Sequence, residues 1–259
     1  MKIAVFVKQV PDSAAKISLD GETIKLGDAP LVINPWDEYA VEAALHLGEE
    51  HSIDVVAISM GPETSQEALK HALAMGCSEA ILISDDALVS ADAGAAARVF
   101  ASALNKLGDV QLAIFGKQAI DSDTGLAPAM TARALAWPLT SLVSKITQMD
   151  LAGKQAKLER NNEEGRQSLS TSLPAVLSIA KDFGEPRYPS FMGIRKAAKA
   201  EIPVWSLSDL GIEAPSTNVT WPALILPPEQ ESKHEIVEGA SPEEIANNLA
   251  DKIIAEGVL

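Results

Sequence analysis

The stretch Gly116-Lys117-Gln118-Ala119-Ile120-Asp121-Ser122-Asp123-Thr124-Gly125 gathers two glycines, a lysine, an amide, two carboxylates and two hydroxyls. No catalytic triad or metalloprotease motif accompanies it, so its chemistry is that of holding a ligand. Residues 110–115 form an apolar run that reads as a buried strand, and residues 126–136 read as a helix. A loop that leaves the carboxyl end of a strand and enters a helix is where open α/β sheets bind nucleotides. Backbone N–H groups and the helix dipole attract a phosphate there, and glycine lets it come close. Asp121 and Ser122 are expected as N-cap or turn residues, with Asp123 and Thr124 close behind. The same residue types equally suit an ordinary surface loop between a strand and a helix.

The elements that must position this loop can be read in order. Residues 2–7 (KIAVFV) are apolar on both faces and predict a central parallel strand. Residues 18–24 alternate around Asp20-Gly21 and predict a hairpin. In Asn34-Pro35-Trp36-Asp37-Glu38, Asn34 suits an N-cap, Pro35 the first helical position, and the two acids the positive end of the dipole. That helix continues over residues 39–47. A strand over 53–59, the turn Met60-Gly61-Pro62 and a helix over 63–75 ended by Gly76 make a second unit. A strand over 79–84, an alanine-rich helix over 91–107 and the strand over 110–115 complete the alternation. The pattern predicts an α/β fold with a doubly wound, mainly parallel sheet and right-handed crossovers. After Trp137-Pro138, residues 141–149, 155–160 and 166–173 alternate polar and apolar, which predicts an antiparallel β meander on one sheet edge. Residues 174–180 return to a buried strand.

Composition removes several function classes. A net charge of −15 argues against broad nucleic-acid binding, which needs a positive field. The single cysteine, Cys77, excludes an internal disulfide framework and a cysteine-based metal site, and it reads as a structural thiol near a helix end. The four histidines show no metal-ligand spacing. The amino terminus offers only five apolar residues before Lys8, too few for a signal-peptide core, and no apolar run is long enough for membrane insertion. The expected location is cytoplasmic.

The carboxyl-terminal third reads as a partner surface. Glu185-Pro186-Arg187-Tyr188-Pro189-Ser190 predicts an irregular loop, and residues 191–199 a short helix carrying Phe191, Arg195, Lys196 and Lys199. Pro203, Pro215, Pro222, Pro227 and Pro228 punctuate an extended arm. Ser241-Pro242-Glu243-Glu244 then starts a helix with a capping box, and Ile245, Leu249, Ile253 and Ile254 fall roughly on one face. The division expected is a nucleotide-binding domain over 1–200, including a partner loop at 181–203, and an arm with its helix over 201–259.

Specific runs carry a family likeness. GKQAIDSDT resembles the adenine-nucleotide loop of electron-transfer flavoprotein β subunits. Arg160, Gly165, Leu173-Pro174-Ala175-Val176, Glu185-Pro186-Arg187-Tyr188 and Lys196-Ala197 are similar to that family's signature. Lys8-Gln9-Val10, Asn34-Pro35, Ala57-Ile58-Ser59-Met60-Gly61-Pro62 and Ala72-Leu73-Ala74-Met75-Gly76 match in the same order. The resemblance implies an adenine nucleotide α-hydrolase-like fold and a heterodimer with an α subunit that holds most of the FAD. It also implies AMP or a second FAD in this subunit, and these two remain open. By matching positions, the nucleotide contacts are expected at Phe6, Asn34, Pro35, Trp36, Asp37 and Met60. In the loop they are expected at Gly116, Lys117, Gln118, Ala119, Ile120, Asp121, Ser122, Asp123, Thr124, Gly125, Leu126 and Ala127. The 181–203 loop would dock flavin dehydrogenases, with Phe191 as apolar anchor, and an acceptor oxidoreductase would take the electrons.

The chain also departs from the family pattern. Leu126 and Pro128 stand where the family usually has Gln and Gly. Asp123-Thr124 leans toward the bifurcating, NADH-dependent branch, whereas Trp137-Pro138 resembles the AMP type. A stand-alone nucleotide sensor of the universal-stress type is the competing reading, although it gives the meander, the basic loop and the arm no use.

Overall fold

A computed structural model describes residues 1–21, 23–220, 223–228 and 234–257. Position 22 of the expected hairpin and Pro222 of the expected arm lie outside the described residues. The chain runs β1 (Lys2–Phe6), β2 (Gln9–Pro11), β3 (Ser18–Asp20), β4 (Thr23–Lys25), β5 (Leu31–Ile33), α1 (Pro35–His51) and β6 (Asp54–Met60). It continues through α2 (Gln66–Met75), β7 (Glu79–Ile83), α3 (Ala93–Leu107), β8 (Val110–Gly116) and α4 (Ala127–Leu135). The meander is β9 (Leu139–Asp150), β10 (Gln155–Asn162) and β11 (Gly165–Ser172), followed by β12 (Ala175–Ile179), α5 (Phe191–Ala197), β13 (Val204–Trp205) and α6 (Pro242–Ala255).

The main sheet has the order β11-β10-β9-β12-β8-β1-β6-β7-β13. Its pairings from β9 through β13 are parallel, and only β9-β10 and β10-β11 are antiparallel. The expected doubly wound α/β sheet with an edge meander is therefore present. Alternate residues of β1 serve opposite layers: Ile3, Val5 and Val7 pack on the side of α1 and α2, and Ala4 and Phe6 on the side of α3. β9 manages two jobs, pairing parallel to β12 at its start and antiparallel to β10 beyond. The register shifts near Val143, and Leu142 sits at φ 59°, a local irregularity that bends the strand between its two partners.

From β1 the chain winds outward to β6 and β7, then returns across β1 to lay down β8 and β12. Winding thus reverses between β1 and β8. The loops leaving those two strands diverge to opposite faces and open a crevice at their carboxyl ends.

Several boundaries differ from the sequence reading for local reasons. The helix after the 116–125 loop begins at Ala127 behind Leu126, which makes no side-chain cap bond. Asp121 and Ser122 are consequently loop residues and not N-caps. Residues 63–65 form a 3₁₀ turn before α2, and α3 starts at Ala93 because Asp92 caps it, its carboxylate accepting from Ala95 N–H at 2.7 Å. Residues 204–205, read as the start of an arm, add a parallel edge strand to β7. Residues 216–219 are held to the start of α3 through Thr217 Oγ1 to Ser90 O, Asn218 and Val219 N–H to Asp92, and Arg98 to Ser216 O. By contacts the first compact unit spans Met1–Ala223, and a second spans Leu224–Leu259. Within the second, Ser241 Oγ accepts from Glu244 N–H at 3.2 Å and Glu244 accepts from Ala240 N–H at 2.8 Å, a reciprocal cap at the start of α6.

Candidate functional site

Three chain segments meet at the crevice: the residues after β1, the first turn of α1 and the loop after β8. Asn34 occupies the N-cap position of α1, yet its side chain makes no cap bond. Its Nδ2 donates to the Gln118 carbonyl at 2.8 Å, and its Oδ1 accepts from Ile120 N–H at 3.1 Å. The residue expected to cap a helix instead pairs with the far loop like a strand would. The Asn34 N–H in turn donates to the Lys8 carbonyl at 2.8 Å.

Asp37 sits one turn along, only 7% exposed. It accepts from Lys8 N–H at 2.8 Å, and the Gly116 backbone and Asn34 amide beside it favour its anion. Burial pushes its carboxyl from 3.8 up to about 7, against hydrogen bonds that favour the anion. A carboxyl whose folded pKa is raised contributes most below its unfolded value, and that contribution is lost as pH rises through the folded value. The protein should therefore lose stability between about pH 4 and 7, by at most roughly 4 kcal/mol. Denaturant unfolding across that range, wild type against Asp37→Asn, checks this. A wild-type slope that the substitution does not flatten would assign the pH dependence to other groups.

The loop itself is tightly wound. Asp123 N–H donates to Ala119 O at 2.8 Å, Gln118 Nε2 donates to Asp123 Oδ1, and Asp123 and Gly125 both adopt left-handed φ values of 53° and 60°. Among the described residues, the backbone N–H groups of Ser122, Thr124, Gly125 and Leu126 have no protein acceptor. These donors, the start of α4 and two lysines make a setting that suits an anion. Lys8 Nζ reaches Asp121 Oδ2 at 2.6 Å across the crevice, and Lys117 Nζ lies 5.1 Å from the Trp36 ring centre.

The remaining expected contacts fall in different places. Pro35 is exposed, and Trp36 and Met60 are half-buried at the carboxyl edge. Ala119, Ile120 and Ala127 are half-buried, whereas Asp121, Ser122, Thr124 and Leu126 are exposed. The Phe6 ring lies in the core, stacked on Phe115 with centroids 4.3 Å apart, so this side chain is floor beneath the crevice. Lys8 was absent from the expected contacts. Its signal was a cation directly following an apolar strand that ends in the sheet's middle.

The 181–203 segment is braced on the opposite side of α1. Arg187 Nε and Nη2 bind Glu42 at 2.8 and 3.0 Å, its N–H binds Glu42 at 3.0 Å, and the guanidinium also reaches Glu49. Glu49 holds the Arg187 charge most strongly, and the guanidinium in turn lowers the Glu49 carboxyl. Seven residues apart, Glu42 and Glu49 share one helix face, a spacing readable in the sequence. At α5, a Cβ on Gly193 would collide with the Ala74 carbonyl, so only glycine lets this helix sit on α2. Beyond these braces Tyr188, Phe191 and Met192 are 94%, 75% and 70% exposed.

Cys77 is buried, with burial pushing its thiol up to about 12, in keeping with a structural thiol. Among the described residues no group of His, Cys, Asp and Glu could hold a metal ion, and no helix is long and apolar enough to cross a membrane.

Comparison with known proteins agrees with this geometry. A family model described as electron transfer flavoprotein domain matches residues 24–210. A FixA protein of Azorhizobium caulinodans is 35% identical over 218 residues, covering 82% of this chain and 78% of its own. Subunit CarD of the caffeyl-CoA reductase-Etf complex of Acetobacterium woodii is 34% identical over 260 residues, 98% of each chain. The electron transfer flavoprotein subunit beta of Mycobacterium tuberculosis is 34% identical over 219 residues, covering 82% of this chain and 81% of its own. With a family model over most of its length and relatives of this kind along it, the chain belongs to the electron transfer flavoprotein family, as a β subunit.

Proposed function

We propose that the crevice between β1 and β8 is the adenine-nucleotide site of a heterodimeric electron carrier. The single observation that carries this is the place of the 116–125 loop, at the carboxyl end of β8 where winding reverses. Unpaired N–H groups at Ser122, Thr124, Gly125 and Leu126 fit a phosphate, with Lys8 and Lys117 nearby. Pro128 has no N–H and Leu126 no polar atom, so the phosphate contacts fall to those backbone groups and to the Ser122 and Thr124 hydroxyls.

In this reading an α subunit holds most of the FAD, and the pair carries electrons from flavin dehydrogenases, such as acyl-CoA dehydrogenases, to a quinone oxidoreductase or other acceptor. The flavin supplies the redox chemistry when bound. This chain holds an adenine nucleotide and braces the 181–203 loop, where exposed Phe191 docks a dehydrogenase and Arg195, Lys196 and Lys199 steer it. Residues 201–259 add the arm toward α, and the complex works in the cytoplasm.

The nucleotide is AMP in the simplest version. A second FAD, in an NADH-dependent bifurcating complex, is favoured by Asp123-Thr124 and by the CarD relative, which matches 98% of the chain. Extraction of bound nucleotides from the purified complex, with identification by mass, separates the two. Gly125→Val should release the nucleotide, because φ 60° strains any side chain and a Cβ would press the Lys117 carbonyl at 3.3 Å. Stoichiometric nucleotide in that variant would move the site elsewhere.

A further inference from the structure

Asn34 and Asp37 are the buried polar residues beneath the crevice, at 0% and 7% exposure. Both are already engaged by other segments of the protein. The Asn34 amide donates to Gln118 O, and its Oδ1 takes Ile120 N–H. Asp37 accepts from Lys8 N–H at 2.8 Å. The two side chains thereby tie together segments that are 29 and 84 positions apart in sequence.

We infer that Asn34 and Asp37 are positioning residues, which shape the 116–125 loop from beneath and leave the nucleotide contacts to that loop's backbone and hydroxyls, to the lysines beside it and to the Pro35 and Trp36 side chains. This rests on the nucleotide reading of the loop. A ligand atom competing for the Asn34 amide would have to break its bond to Gln118 or Ile120 and leave a buried group unmet. A fully satisfied buried network instead fixes one loop shape before any ligand arrives. The pairing is directional: Ile120 N–H is drawn down toward Asn34, while the N–H groups from Ser122 to Leu126 stay unpaired.

The test uses the purified complex with its α subunit, stripped of nucleotide, as wild type, Asn34→Ala and Asn34→Asp. Calorimetric affinities are measured for adenosine and for AMP, and amide hydrogen exchange at Ile120 is followed without nucleotide. Asn34→Ala should weaken AMP by about tenfold, as for one lost buried hydrogen bond, should weaken adenosine less because the loop's N–H groups meet the phosphate, and should speed exchange at Ile120. Asn34→Asp keeps the acceptor for Ile120 but cannot donate to Gln118, so it should speed Ile120 exchange less than Asn34→Ala and weaken AMP by a smaller factor. An equal loss on adenosine and AMP would make Asn34 a direct ligand of the nucleoside they share and overturn the inference. So would unchanged Ile120 exchange in Asn34→Ala. If the wild-type complex binds neither adenosine nor AMP, the nucleotide reading fails by itself. The exchange measurement then still decides whether Asn34 shapes the loop.

Discussion

Gly116→Val should yield a complex without nucleotide and with a clearly lower melting temperature. A Cβ at this position would overlap Asp37 Oδ1 and lie 2.7 Å from the backbone C and O of Trp36. Those atoms cannot rotate away, because they belong to the first turn of α1. That helix is fixed by the burial of Ala40, Val41, Ala43, Ala44, Leu45 and Leu47 against the sheet. The clash must therefore move α1 away from β8 or bend β8 itself, and overpacking of this kind costs about 1–3 kcal/mol, sometimes more. Either movement separates Gly116 from Asp37 and shifts the loop that begins there. Gly116 and Gly125 thus resist substitution for different reasons. The first lacks space with an ordinary backbone, whereas the second holds a left-handed φ of 60°. Nucleotide content per complex and a thermal melt on the same preparation provide the check. Full nucleotide and an unchanged melt would mean that α1 is not seated against β8 in this way.

The contrast between these glycines shows what a sequence can reveal about such a site. Strand-loop-helix alternation places residues 116–125 at the end of a central strand because apolar periodicity reports burial, and burial decides which segments are central strands. The order of those strands is not periodic information. That β8 lies beside β1, with winding reversed between them, follows only from packing. Asn34 shows the same limit at one residue. Its type and its place before Pro35 satisfy every local rule for an N-cap, but a tertiary partner at Gln118 and Ile120 takes the side chain. Asp121 and Ser122 suit a cap or a turn by equally local logic, and they take the turn, since the helix starts later, behind Leu126. Family resemblance supplied the contact positions, including Phe6, whose ring proves to be core. The resemblance was blind to whether a position offers its side chain or only its backbone.

Removing the Phe191 ring should uncouple partner docking from folding. At 75% exposure the ring contributes little burial to its own domain, so Phe191→Ala should leave melting temperature and flavin content unchanged. Its surroundings are nonetheless held firmly. Arg187 is clasped by Glu42 and Glu49, Ser190 caps α5 through its hydroxyl to Gly193 N–H at 2.9 Å, and Gly193 rests on the Ala74 carbonyl. An exposed aromatic on a fixed base loses little entropy on docking, which is the setting in which one residue dominates an interface. Phe191→Ala should then weaken binding of a cognate dehydrogenase by about 1–4 kcal/mol. Arg187→Ala makes the informative comparison. It leaves Phe191 in place but frees the loop and leaves Glu42, only 17% exposed at its side chain, without its cation. That variant should lose both stability and partner affinity. Affinity measured beside a thermal melt separates the two: an anchor residue moves the first alone, and a brace moves both. Wild-type affinity in Phe191→Ala, with a dehydrogenase known to be cognate, would place the docking surface elsewhere on the subunit.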